Sequence, residues 1–172
     1  DNDQGSHRQL LPLFLDLKSR LVVIFGGGAV GERKAELFSR HGQVKVLSRD
    51  FSPGLVDLAK DPKRRIELFE CDLSDGFDRH MHEAFIVIPA TNDSTLNRAI
   101  EAGARRQGIL VNSVEGAGDV VVPSVLQKGS ISIAITTENP GLTRYLRMRL
   151  DDELGEDLLQ MARLLSEIRK EN

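Results

Sequence analysis

Three glycines at the spacing Gly26-x-Gly28-x-x-Gly31 carry the first chemistry legible in this chain. Gly26 permits a tight turn, Gly28 lets a pyrophosphate approach bare backbone, and Gly31 lets a helix pack closely on a strand. The string follows the apolar run Leu21-Val22-Val23-Ile24-Phe25 and precedes a helical pattern through Arg40. That context separates a dinucleotide turn from an ordinary glycine-rich loop. Ala29 and Val30 then open a helix whose free N–H groups and dipole meet the phosphates. The ribose discriminator belongs at the tip of the next strand, where Ser48, Arg49 and Asp50 stand. Asp50 suits the diol of NAD, whereas Arg49 suits a 2′-phosphate, so these residues favour NAD only modestly. Thr91, Asn92 and Asp93 end a later strand, another place where such ligands bind, and Asp93 can also cap the following helix.

Other chemistries are poorly served. Tyr145 is followed at the fourth position by Arg149, so the Tyr-x-x-x-Lys pair of short-chain dehydrogenases is missing. His80 and His82 are two apart and fall on different sides of a helix, which makes a poor metal pair. No metal site is expected. The single cysteine, Cys71, permits no intrachain disulfide, and its aspartate-flanked segment should raise a thiol pKa.

The elements that must position these residues alternate. Strands are predicted at 21–25, 44–47, 66–69, 85–89 and 109–112, with helices between them, including one opened by Ser52-Pro53. This rhythm predicts a Rossmann-type α/β fold with a doubly wound parallel sheet. After Asn112 it changes. Strands predicted at 119–122 and 130–136 lack a crossover long enough for parallel pairing, so they are expected to be antiparallel. Asn139-Pro140 starts a helix to about Leu154. A last helix carries Leu158, Leu159, Ala162, Leu165 and Ile168 on an apolar stripe that requires a partner surface. The expected division is a Rossmann domain at 8–113, a dimerisation segment at 114–140 and a C-terminal helical segment at 141–172.

A net charge of −3 offers no basic field for nucleic acid. The longest apolar run is far short of the ~20 residues a bilayer span needs. With no signal-peptide pattern, a cytoplasmic protein is expected. Residues 1–7 include a Gly-Ser-His string that reads as a cloning scar.

Several strings together resemble the precorrin-2 dehydrogenase family, the dehydrogenase/ferrochelatase module of siroheme synthases. They are Leu11-Pro12-Leu13-Phe14-Leu15-Asp16-Leu17, the glycine turn running into Glu32-Arg33-Lys34-Ala35, Ala90-Thr91-Asn92-Asp93 with Asn97, and Asn112-Ser113-Val114-Glu115. Val122-Pro123-Ser124, Ile133 to Thr137, Pro140 and the Leu142–Leu146 helix start complete the match. The resemblance implies NAD-dependent oxidation of precorrin-2 to sirohydrochlorin, in some members followed by insertion of ferrous iron. It also implies a homodimer formed through the antiparallel segment. The family's key aspartate stands in an Asn-x-x-Asp string; here the position is Glu115, which keeps the carboxylate with one more methylene. A carboxylate there suits a general base. Because the implied substrate carries many carboxylates, Lys128, Arg144 and Arg147 become candidate contacts, the two arginines sharing a helix face at i, i+3.

Two other readings fit parts of the pattern. One is a regulatory NAD-sensing module without chemistry, which should show an acidic residue at the position of Ser48. The other is a protein that holds a tetrapyrrole or metal without redox activity.

Overall fold

The computed structural model describes residues 9–169; the Gly-Ser-His string lies outside them, as do the last three residues. The chain forms two compact units that divide after Val120.

The first unit is a five-stranded parallel sheet in the order β3-β2-β1-β4-β5. Its strands are β1 (Leu21–Phe25), β2 (Gln43–Ser48), β3 (Ile66–Glu70), β4 (Ala84–Pro89) and β5 (Leu110–Val111). Helices α1 (Ala29–Phe38), α2 (Pro53–Lys60) and α3 (Ser94–Arg106) make the crossovers. β1 is apolar at every position because both of its faces are covered: Val22, Val23, Ile24 and Phe25 are fully buried. Val22, Ile24, Val44, Val46, Ile86 and Ile88 pack with Ala35, Phe38 and Leu55 on one side. Val23, Phe25, Leu47, Val87 and Val111 pack with Met81, Ile100 and Ala104 on the other. Each such side chain contributes about 1.5–3 kcal/mol by leaving water. The doubly wound fold expected from the alternating pattern is therefore present.

The second unit contains a hairpin of β6 (Ser124–Lys128) and β7 (Ile131–Ile135), then α4 (Pro140–Glu153) and α5 (Glu156–Ile168). Gly129 takes φ 57° in the two-residue turn, a conformation that an L side chain resists. Ile131, Ile133 and Ile135 share the half-buried face, as their alternation predicts. Asn139 caps α4 by accepting from the N–H groups of Gly141 (2.8 Å) and Leu142 (3.2 Å), with Pro140 at the first turn.

One expected strand is absent. Residues 119–122 are not a strand, and the first antiparallel strand is Ser124–Lys128. The reason lies in Asp119, whose carboxylate accepts the Val111 N–H at 3.1 Å. Val120 N–H donates to Val111 O at 3.0 Å, while Val121 and Val122 remain exposed. The Asp119–Val120 segment thus closes a loop onto β5. This attachment places the unit boundary after Val120, later in the chain than the expected division at 113, and joins the hairpin and both final helices in one unit.

Among the described residues no helix is long and apolar enough to cross a membrane.

Candidate functional site

The strand order reverses between β1 and β4, where parallel α/β sheets bind ligands at their carboxyl ends. A cleft of about 680 Å³ lies at this edge, lined by the glycine turn, Ser48 to Ser52, Asp72 to Ser74, Ala90 to Asp93, and Leu96.

The glycines divide by role. Gly26 has φ 118° and is wedged between strand ends: its N–H donates to Leu47 O (2.8 Å), and a β-carbon on it would collide with the carbonyl of Ala90. A β-carbon on Gly31 would collide with the carbonyl oxygen of Gly26, so helix and turn touch backbone to backbone. Gly28 differs. Its φ of −81° suits any residue, and a β-carbon there would meet no protein atom within 4 Å. The fold does not require glycine at 28, but a group lying against the cleft wall there would. No side chain caps α1 at Gly28, and Ala29 beside it is exposed. Bare backbone and free N–H groups at a positive helix end fit a pyrophosphate.

At the β2 end of the cleft, Arg49 lies 4.0 Å from the Asp72 carboxylate, both well exposed. Asp72 is held below the ordinary carboxylate range, chiefly by the Ser74 N–H and then by the Ser74 hydroxyl. Asp50 lines the same end, so the one guanidinium in the cleft lining shares it with two carboxylates, and the ion pair it makes is with Asp72. A 2′-phosphate gains little from such a surround, whereas carboxylates suit a ribose diol.

At the β4 end, Asp93 caps α3 by accepting from Thr95 (2.8 Å) and Leu96 (3.1 Å) N–H groups. Asn97, almost fully buried, receives the Thr91 N–H (3.0 Å) and hydroxyl (2.7 Å) on its Oδ1. Its Nδ2 donates to Thr91 O (3.0 Å) and to Glu115 Oε1 (3.2 Å), and Ser94 Oγ donates to the same Glu115 oxygen at 3.0 Å. Glu115 is thereby joined through one amide to Thr91 in the cleft wall. The loop that carries it is braced as well. Ser113 Oγ donates to Glu101 (2.6 Å) and accepts the Gly116 N–H (2.9 Å), while Arg105 donates to Ala117 O (3.2 Å).

Residues 13–124 match the protein family described as "Putative NAD(P)-binding". The precorrin-2 dehydrogenase of Methanosarcina barkeri is 41% identical over 165 residues, covering 92% of this chain and 73% of that protein. The chain belongs to the precorrin-2 dehydrogenase family. Siroheme synthase 1 of Yersinia enterocolitica is 37% identical over 157 residues, 88% of this chain but 32% of that protein, so the chain spans about a third of that relative. The solved precorrin-2 dehydrogenase SirC superposes with a TM-score of 0.72 at 23% identity, over 93% of this chain and 79% of that one. That likeness confirms the fold.

Of the residues singled out in the sequence, Gly26, Gly28, Ser48, Arg49, Asp50, Thr91, Asn92 and Asp93 all line the cleft. Ala29 and Val30 open α1, Gly31 acts inside the packing, and Glu115 stands behind the wall. In the second unit, Lys128 is held by its own unit: its ammonium pairs with the Asp151 carboxylate (2.8 Å) and donates to the carbonyls of Asp151 and Leu154 at the end of α4. Its three donors are thus taken. Arg144 is exposed on α4 and Arg147 is half-buried one turn on. Sequence reasoning passed over Asp72, Leu73 and Ser74, although the strand-ending Cys71-Asp72 offered a signal like that of Ser48-Arg49-Asp50. The Cys71 thiol is indeed pushed up, but burial is the main cause, with Asp72 a lesser one. His80 packs on the Phe69 ring at 5.3 Å, and burial, then Arg79, lowers its pKa. Among the described residues no three of His, Cys, Asp and Glu gather as a metal site.

The contrast between two glycines gives a direct test. Gly28→Val should cost no more stability than the exchange of a favoured helix-start residue for valine, about 1 kcal/mol or less, while weakening NAD binding by about tenfold or more, the scale of a lost hydrogen bond to a charged group. Gly31→Ala should instead lower stability by about 1–3 kcal/mol through overpacking. Parental NAD affinity for Gly28→Val in calorimetry would remove the pyrophosphate from this turn.

Proposed function

We infer that this chain oxidises precorrin-2 to sirohydrochlorin with NAD as the oxidant. The observation that carries this reading is the tie from Glu115 through Asn97 to Thr91, which puts a braced carboxylate behind the wall of a dinucleotide cleft. NAD supplies a hydride acceptor when bound. Gly28 and the start of α1 hold its pyrophosphate, Asp50 and Asp72 favour its unphosphorylated ribose, and Thr91 to Asp93 border the cleft at the other end.

Oxidation removes a hydride and a proton from the substrate. Glu115 is suited to take the proton. Its two protein donors, Ser94 and Asn97, both bind Oε1 and leave Oε2 for the proton. The extra methylene of glutamate is accommodated by fixing the carboxylate against α3, so its longer reach is not lost to freedom. Arg144 and Arg147 are suited to carboxylates of the substrate through forked hydrogen bonds.

A second copy of the chain is proposed to cover the exposed apolar side chains of the second unit. Val125, Leu142, Tyr145, Met148, Leu158, Met161, Leu164 and Leu165 are all exposed there. Monomers rarely leave so much apolar surface in contact with water, and a two-fold dimer is the commonest closed solution. Sedimentation equilibrium at micromolar protein should give a dimer; a monomer at that concentration would contradict the assembly.

The chemical reading is tested with precorrin-2 and NAD, following NADH. Glu115→Gln keeps both hydrogen bonds' geometry but loses the base, so NAD affinity should persist while turnover falls about 10²–10⁴-fold. Turnover at the parental rate would mean that Glu115 takes no proton.

A further inference from the structure

Lys34 lies in the second turn of α1 and is half-buried. Its ammonium donates to Asn112 Oδ1 at 2.8 Å. Asn112 is an unusually rigid acceptor: it is 3% exposed, its N–H donates to Val87 O (3.0 Å), and its Nδ2 donates to Val120 O (2.7 Å). The ammonium is therefore aimed by a neutral amide, which orients the charge but does not compensate it. Among the described residues no carboxylate pairs with Lys34, and the charge that acts on it is the like charge of Arg33. Burial first, and Arg33 second, hold its pKa below the ordinary lysine range.

A partly desolvated cation without a carboxylate is unfavourable in the protein by itself. Groups perturbed in this manner collect at functional sites. An ammonium has three donors, and Asn112 uses one. The position is also telling. Asn112 directly follows β5 at the carboxyl edge of the sheet and opens the braced loop that carries Glu115. This is the β5 side of the point where strand order reverses, whereas Ser48, Arg49 and Asp50 stand at the end of β2, on its other side. A positive charge held by the residue that opens the Glu115 loop, at the carboxyl edge of the sheet, matches a ligand rich in carboxylates.

We propose that Lys34 is a substrate-anchoring residue, its ammonium oriented by Asn112 to receive a carboxylate of the tetrapyrrole beside the Glu115 loop. The proposal rests on the precorrin-2 reading and adds to it a cation supplied by the dinucleotide-binding unit itself. A purely structural Lys34 would brace Asn112 by hydrogen bonding alone, a role that glutamine can take over.

The test is equilibrium binding of sirohydrochlorin, the product, to the full chain by fluorescence titration, with NAD affinity measured by calorimetry on the same samples. Lys34→Gln keeps a donor for Asn112 but removes the charge. It should weaken sirohydrochlorin binding about tenfold or more, the scale of a hydrogen bond to a charged group, with NAD affinity unchanged. Lys34→Arg should recover most of the affinity. Asn112→Asp provides a second arm: it gives Lys34 an internal counter-ion and should weaken product binding although the ammonium remains, read where NAD affinity is parental because the substitution also removes the Nδ2 bond to Val120. Parental affinity in a folded Lys34→Gln or in Asn112→Asp would overturn the role of Lys34 alone. Failure of the parental chain to bind sirohydrochlorin would overturn the precorrin-2 reading, and the anchoring role with it.

Discussion

The carbonyl oxygen of Gly26 occupies the space that a β-carbon on residue 31 would need. This contact between turn and helix backbone draws α1 down onto β1, and much else follows from it. Once α1 is close, Ala35 and Phe38 reach the apolar face made by Val22, Ile24, Val44 and Val46. The same approach forces the chain through Gly26 at φ 118°, against the end of β4, and leaves Gly28 facing the cleft. Packing thus dictates two of the three glycines. No protein atom dictates the third, which leaves bare backbone at the mouth of the cleft.

Helix starts in the molecule reinforce the point. α2, α3 and α4 begin with the side chains of Ser52, Asp93 and Asn139, each accepting from its own helix. α1 begins at Gly28 with no side-chain cap, at the mouth of the cleft. Side-chain caps are worth about 1 kcal/mol, so their use elsewhere in the first unit makes the bare start of α1 a local choice. α5 also starts at a glycine, Gly155, but belongs to the other unit and lines no described cleft.

Much of this was legible in the sequence because the signals were local. The buried strand, the glycine spacing and the helix pattern after it lie within twenty residues of one another, and strand–helix alternation carried the rest of the sheet. The family resemblance reached further, since it used strings from Leu11 to Leu146 in register. What could not be read depended on contacts between distant positions. Asp119 looked like the start of a strand because Val120, Val121 and Val122 follow it, yet its carboxylate closes a loop onto Val111. Lys128 looked like a free cation near a cleft, but Asp151 and the end of α4 occupy it. Asp72 to Ser74 became site residues only when β3 was placed beside β2. The bond from Lys34 to Asn112 spans 78 positions and has no sequence pattern of its own.

The central claim is that the Gly26–Gly31 turn holds the dinucleotide and that the ribose end lies by Asp50 and Asp72. A crystal structure of the chain with NAD tests it most directly. The account predicts the pyrophosphate against the Cα of Gly28 and the first N–H groups of α1, with the adenosine ribose diol at the Ser48–Asp50 end of the cleft. A dinucleotide bound elsewhere, or one bound here with its phosphates away from Gly28, would contradict it.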